Sequence, residues 1–362
     1  MDSMKNNELS EDQIIAHNRS KIYQKLERIP APDTYKGNIP WAVQQQIAAT
    51  NGMHYIDRIG KLDGYPQYSL PTEQTTGDSL MLDIGCGWGR WLVAGNRKGY
   101  IPMGLDIRLE FCRTARYVMK DSNVNGYAVV GDLENIPFKQ SIFELIWSFS
   151  VIQHTHKKRL INCLRGINST LTSTGTAKLE FPNKNGVRNM FSAAVARNLL
   201  TADDYNSWDV RYYTPSEYRE IFEKYLANFD YENHSVLGIG VLKEDLRYVS
   251  LKNKIPTLVS LSLSQLARII KPIRQLSDSI YITASKKEKV TNNTNALKHF
   301  LKLHGQNPGS NLNIVPLLKC PKYGGDLELN DTKDKLISVE AGIYYMIEDD
   351  IPILISSEAR SL

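Results

Sequence analysis

Cysteine is scarce and poorly placed for bridging: the 362 residues hold four, Cys86, Cys112, Cys163 and Cys320, widely scattered and without a C-x-x-C pair. This argues against a disulfide framework and an intact zinc ribbon, and predicts reduced, structural thiols with no metal site. No run of about eighteen apolar residues occurs, and the opening MDSMKNNELSEDQ is too polar for a secretory signal, so a cytoplasmic protein is expected. Charge of one sign is also limited. The net charge is +5 and basic clusters such as HKKR and SKKEK are short, so charge alone gives no indication of nucleic-acid binding. Neither an internal repeat nor a low-complexity tract is present. What remains is ordinary for a globular chain, 42% hydrophobic and 23% charged, and long enough for one large domain or two smaller ones.

Residues 10–28 read as an amphipathic helix opened by a Ser10–Gln13 capping box. Residues 30–78, rich in Pro, Gly and Gln with a short helical stretch around PWAVQQQIAA, extend it into a lid or N-terminal extension, residues 1–78. From 79 the rhythm becomes apolar strand, amphipathic helix, apolar strand: SLMLDIG, IPMGLDI, YAVVGDL, FELIWSFS and GTAKLEFPN with helices between them. That alternation predicts an α/β fold with a mainly parallel sheet covered on both faces, whose ligands sit beyond the carboxyl ends of the strands. A later helix has a clear start, with Thr214 as cap, Pro215 next and Glu217 closing a capping box. YENHSVLGIGV and DSIYITASKK read as two late strands around a helix-rich insertion over 242–277. The domain closes near 287; a polar linker, 288–312, leads to a small β-rich module, 313–362.

LMLDIGCGWGRWL, residues 80–92, runs from strand through Gly85, Gly87 and Gly89 into a helix. A turn without Cβ atoms can present amide N–H groups at a helix N-terminus, which suits an anionic or strongly polar ligand. The dinucleotide pattern G-x-G-x-x-G fails, because its third glycine is Arg90. Asp106 ends the second strand at the distance expected for accepting both ribose hydroxyls, which points to an adenosine-type nucleoside. Asp132 ends the third strand, placed for an adenine amino group, with the Leu133 amide for a ring nitrogen and Ile107 against the base.

LDIGCGWGR, GLDI, GDLENIPF with IFELIWSFSVIQHT, and GTAKLEFPN follow one another over residues 79–183 in the order and spacing of the class I S-adenosylmethionine-dependent methyltransferases, which the sequence therefore resembles. The resemblance implies a Rossmann-like seven-stranded, mostly parallel sheet and S-adenosyl-L-methionine as cofactor. It places the methionine part on the turn, Asp83, Gly85, Cys86, Gly87, Trp88 and Gly89. The ribose goes to Asp106, the adenine to Ile107, Gly131, Asp132 and Leu133, with Phe149 and Ser150 after the fourth strand. Trp88 would cover the methionine tail or offer a cation-π contact; Asp83 would support the turn or serve as a structural carboxylate. Trp88 and WDVRYYTPSEY also resemble a bacterial subgroup often found with glycan or natural-product biosynthesis.

Methyl transfer is an in-line displacement that needs alignment and exclusion of water, and alignment alone can supply roughly 7 to 11 kcal/mol of the barrier. An oxygen nucleophile also profits from a base. His154, just past the fourth strand, is the candidate, the alternative being that it hydrogen-bonds a loop and shapes the pocket. Tyr212 and Tyr213 would line the acceptor pocket or pack; two adjacent aromatics cannot both face one site in extended chain. Arg211 would meet an acidic acceptor or remain a solvated surface residue.

LLKCPKYGGDLEL and LISVEAGIYYMIEDDIPILI resemble the small zinc-ribbon-like activator module of tRNA and translation-factor methyltransferases. Its four cysteine positions here read Cys320, Tyr323, Ser338 and Ala341, and one thiolate cannot hold a structural zinc. The module then either folds on Leu327, Ile343, Tyr345, Ile351 and Ile353 or leans on the main domain, and leaning is the expectation. O-methylation of a small-molecule or glycan-type acceptor leads. An RNA acceptor is the alternative within enzymes, although the N-P-P-[FY] tetrapeptide of exocyclic-amine methyltransferases is absent. A non-catalytic cofactor-binding scaffold is the alternative outside them.

Overall fold

The computed structural model describes residues 30–51, 53–75, 77–190, 210–237, 241–287 and 292–362. The helix expected over 10–28 and most of the stretch between the fifth strand and WDVRYY lie outside the described residues. Among the described residues seven strands form the main sheet: β1 (Leu80–Ile84), β2 (Ile101–Asp106), β3 (Tyr127–Gly131), β4 (Phe143–Ser148), β5 (Leu171–Pro182), β6 (Leu226–Ser235) and β7 (Ser279–Lys286). They lie in the order β6-β7-β5-β4-β1-β2-β3, and only β7 runs against the rest. The order reverses at β1, so the chain leaves β1 to one side and β4 to the other. That opens a crevice at their carboxyl ends.

Side-chain alternation sends each strand's residues to two faces. Leu80, Leu82 and Ile84 of β1 join one core with Ile146, Leu179 and Ile282. Met81 joins the other with Leu145, Trp147 and Tyr281. On the first face lie α4 (Lys157–Thr170), α6 (Pro215–Phe222) and α9 (Thr294–Gln306). The second carries α1 (Trp41–Asn51), α2 (Arg90–Arg97) and α3 (Leu109–Asp121). The short α5 (Val187–Met190) follows β5, while α7 (Leu251–Ile269) and α8 (Lys271–Gln275) fill the insertion between β6 and β7. The α6 capping box forms as its sequence predicts, Thr214 Oγ1 accepting from Glu217 N and Glu217 returning a carboxylate to Thr214 N.

The stretch before β1 is built into the second core rather than laid loosely over it. Ile39, Val43, Ile47, Tyr55, Tyr68 and Leu70 are all buried there. Two of its tyrosines, Tyr55 and Tyr68, donate to Asp245 Oδ1 at 2.6 Å, which ties it to the insertion.

The C-terminal module comprises β8 (Glu328–Leu329), β9 (Lys335–Ser338), β10 (Ile343–Glu348), β11 (Ile351–Leu354) and β12 (Arg360–Ser361). Its predicted core residues Leu327, Ile343, Tyr345, Ile351 and Ile353 are buried. It also leans on the main domain, as expected, and the joint is a strand pairing. β11 adds to the outer edge of β3 in parallel, Ile353 opposite Val130, so that one sheet runs through both units. A second seam lies beside it, where Lys139 N donates to Leu317 O and Lys319 N to Pro137 O. At the former zinc positions, Cys320 Sγ lies 3.5 Å from the Tyr345 hydroxyl, Ser338 is buried and Tyr323 is 62% exposed. Among the described residues no cluster of His, Cys, Asp or Glu could hold a metal ion.

Candidate functional site

The turn after β1 is tight because Gly85, Gly87 and Gly89 all hold positive φ, +76°, +51° and +91°. A Cβ on Gly85 would also run into Val151, which packs over the turn from the loop after β4. The amides differ from expectation. Gly85 N and Cys86 N donate to Leu105 O, Gly89 N to Cys86 O, and Gly87 N to Asp106 Oδ2 at 3.1 Å. These donors brace the turn against β2, so what it presents outward is a bare, half-buried backbone at Gly85 and Gly87.

Asp106 is 9% exposed, and Arg108 N donates to its second oxygen at 3.0 Å. Burial pushes its carboxyl up to about 6 against the pull of the Gly87, Arg108 and Ile107 backbone amides and the Arg108 charge. Asp83 is fully buried and neither of its oxygens has a hydrogen-bond partner among the described residues. Burial raises its carboxyl to about 8, Arg90 pulling it down and Asp106 pushing it further up. A buried carboxylate without a partner beside an open turn is the kind of group a cationic ligand completes.

Ile107, Asp132 and Leu133 stand half-buried at the neighbouring strand tips, and Gly131 closes β3. Asp132 is already engaged: Arg159 Nη2 donates to both oxygens at 3.1 and 3.0 Å, and Glu134 N donates to Oδ1 at 3.0 Å. That fixes its rotamer, and Oδ2 keeps a lone pair for one more donor.

Three expectations need correction. Trp88 does not turn toward the strand tips: it is 2% exposed, its Nε1 donates to Asn51 Oδ1 at 3.1 Å, and Tyr65 and Tyr68 lie against its ring. An indole in that turn gains more from the apolar wall built by residues 39–70 than from an aqueous crevice. Cys86 likewise points inward, packed where a Cβ on Gly104 would sit. Arg211 is 7% exposed rather than solvated, because its N donates to Gln153 O and its Nη1 to His154 O, each a carbonyl in the loop after β4. Its charge is spent on positioning that loop.

His154 closes a short 3-10 turn, Ile152–His154, half-buried and in contact with Arg211 through its carbonyl. The adjacent tyrosines part as extended chain requires: Tyr213 packs edge-on against Tyr218, while Tyr212 lies near Arg188 and Asp278. Burial raises both hydroxyls above their ordinary range.

The structure adds residues that the sequence pattern did not reveal. Beyond the β4 tip, Phe149 meets His234 edge-on at 5.2 Å, and His234 packs on Tyr281 at 4.6 Å. Burial, then Arg268 and Arg90, hold the His234 ring down to about 3, so it stays neutral. Arg90 reaches into the same place, 4.9 Å above the Phe149 ring, with Nη1 donating to Asn51 Oδ1 at 3.0 Å. Glu180, 5% exposed, accepts both the N–H and the hydroxyl of Ser150 at 2.9 Å, with Ser279 on its other oxygen. Ser150 has φ +59°, a left-handed conformation that costs a serine energy, so Glu180 holds a strained loop in place. The sole sequence signal was an acid inside the apolar run KLEFP; His234 became visible only through the register of β6 on β7.

A groove lined by Asn38, Asp63, Tyr65, Arg97 and Asp121 lies elsewhere and contains none of the strand-tip residues. No described helix is long and apolar enough to cross a membrane.

Comparison with known proteins finds family matches in two parts of the chain. A family model described as a methyltransferase domain matches residues 81–175. The C-terminal module matches UPF0434 proteins, 45% identical to one from Ectopseudomonas mendocina over 51 residues, 14% of this chain and 84% of that protein. A Bartonella henselae member is 49% identical over 49 residues, 14% of this chain and 75% of that protein. Among solved structures, a TehB-like methyltransferase from Corynebacterium glutamicum is 17% identical over 59% of this chain and 82% of that one, TM-score 0.38. A chain from the complex of the Haloferax volcanii Trm112 methyltransferase activator with a methyltransferase is 18% identical over 60% and 86%, TM-score 0.39. Residues 81–175 thus carry a methyltransferase domain, and the C-terminal module belongs to the UPF0434 family.

Proposed function

We propose that this enzyme methylates a hydroxyl of a small-molecule or glycan-type acceptor, with the cofactor lying across the tips of β1, β2 and β3 and the acceptor entering beside the tip of β4. The observation that carries the cofactor's place is Asp106, a nearly buried carboxylate fixed by the Gly87 and Arg108 amides at the tip of β2. Asp106 would accept the ribose hydroxyls, and Oδ2 of Asp132 one amino hydrogen of the base. Asp83, unpartnered and buried, would sit behind the methionine ammonium. When bound, the cofactor supplies an electrophilic methyl group on a positively charged sulfur.

The chain's own part is alignment and dryness. Phe149, His234 and Tyr281 offer an aromatic wall on the acceptor side, and Glu180 keeps the Ser150 loop in place. His234 belongs to that wall, and its environment decides its role. His234, held neutral down to about 3, is too weak a base to take a hydroxyl proton near neutrality. His154 is the residue assigned that proton. The Tyr212 side of the Arg211 segment would then complete the acceptor wall.

An RNA acceptor is the second reading, and the UPF0434 module is what favours it. The module joins at the β3 edge, separated from β4 by β2 and β1, which better suits support of the Asp132 loop than contact with an acceptor at Phe149. Calorimetry of S-adenosylmethionine binding, followed by turnover to S-adenosylhomocysteine across a panel of hydroxylated small molecules, glycans and RNA, tests the proposal. Methylation of RNA alone would replace it.

A further inference from the structure

The insertion between β6 and β7 is built inside out. Along α7 the side facing the protein is small and polar: Thr257, Ser260, Ser264 and Ala267 are buried. Ser260 Oγ donates to Val236 O at 2.6 Å, Val236 N donates to Ser264 Oγ at 2.9 Å, and Asn233 Nδ2 donates to Ser264 O at 2.6 Å. The side facing solvent carries Leu251, Ile255, Leu258, Val259, Leu266 and Ile269, between 46% and 82% exposed. Ordinary surface helices have the opposite polarity, and a contiguous apolar stripe of this kind marks an interaction face. Ile270 and Leu276 continue it past the end of α7.

Charge indicates what the stripe meets. Residues 246–277 contain no Asp or Glu, while Arg247, Lys252, Lys254, Arg268, Lys271 and Arg274 are basic. Arg274 is held by Asp230 at 3.2 Å and Arg247 by the Tyr248 hydroxyl, and Lys254 and Arg268 lend the stripe a positive rim. A second copy of this chain would bring the same basic rim against it, like charge on like, with no acid in the segment to answer. A helix with an apolar stripe, a basic flank and no acid is instead the pattern that lies in the headgroup region of an anionic bilayer.

We propose that α7 and α8 form a docking surface for an anionic lipid bilayer, with the apolar stripe immersed at the headgroup boundary and the basic rim among the lipid phosphates. Through Asn233 and Val236, α7 rests on the end of β6 beside His234, so docking sets the Phe149–His234 wall next to the membrane. The inference rests on the helix itself and holds whatever the acceptor proves to be.

The test is co-sedimentation of the full chain with vesicles of phosphatidylcholine alone and of phosphatidylcholine with phosphatidylglycerol. Binding should appear on the mixed vesicles, fall at least about tenfold on phosphatidylcholine alone, and weaken as salt rises. The triple variant Ile255→Ser, Leu258→Ser, Ile269→Ser should lose binding about tenfold or more while melting at the wild-type temperature, since it trims only exposed side chains. Absence of sedimentation with the mixed vesicles overturns the proposal. So does binding that the triple variant retains, or a wild-type dimer by light scattering that the triple variant dissolves.

Discussion

Replacing Asp83 by Asn should flatten the pH dependence of this enzyme's stability near neutrality. The carboxyl is fully buried, lacks a hydrogen-bond partner among the described residues, and is raised to about 8 from an ordinary 3.8. A raised acid binds its proton more tightly in the folded chain, so the ligand-free protein is penalised as pH rises from about 4 and the penalty levels off above about 8. Two other shifted groups act lower down. Asp106, raised to about 6, adds its loss in the window between about 4 and 6. His234, lowered to about 3 from 6.5, destabilises in the other direction, as pH falls below 6.5. Between pH 6.5 and 7.5 Asp83 is still mostly protonated when folded and ionised when unfolded. Wild type should therefore lose on the order of 1 kcal/mol across that step, and Asp83→Asn should lose correspondingly less. Chemical denaturation of the ligand-free proteins at both pH values measures it, with the midpoint and slope read separately. Equal losses in the two proteins would show that Asp83 is already ionised in the fold, and would remove the reason for placing a cation against it.

Asp106→Ala and Gly87→Val should each abolish or severely weaken S-adenosylmethionine binding by calorimetry, the first by removing the ribose acceptor and the second by forcing a branched residue to φ +51°; wild-type affinity in Asp106→Ala would mean the ribose lies elsewhere. His154→Ala should leave that affinity unchanged and lower turnover roughly 10²- to 10⁴-fold, and turnover at the wild-type rate would reduce His154 to a loop residue. Glu180→Ala should release Ser150 from its left-handed conformation and raise the acceptor KM more than it weakens cofactor binding, with Glu180→Gln recovering part of the loss; the reverse split would place Glu180 under the cofactor instead. Metal analysis of the purified chain should find no stoichiometric zinc, and one bound ion per chain would overturn the account of Cys320 and its neighbours.

The strands, the glycine turn and the acids at the strand tips were legible because each depends on a local pattern. An apolar run, a residue without a Cβ and a carboxylate at a strand end can all be read within ten residues. The α6 capping box was legible for the same reason. What Trp88 and Arg211 do was not, because an aromatic wall from residues 39–70 and two carbonyls in a distant loop decide it. His234 was hidden more deeply: its neighbours Phe149 and Tyr281 are brought to it only by the antiparallel insertion of β7. The polarity of α7 was legible as a helix and not as an inverted one, since hydrophobic periodicity fixes a face without saying which way it points.

The seam between β3 and β11 has a consequence for how the protein is made. β11 leaves the ribosome roughly 220 residues after β3, at least ten seconds later at ordinary translation speeds. For that interval the nascent methyltransferase carries an open strand edge, Tyr127–Gly131, a template for pairing with any extended segment nearby. A message cut short before the codons for β11 would therefore yield a sticky product, not simply a smaller enzyme, and cells making this protein gain from having chaperones occupy that edge until β11 arrives.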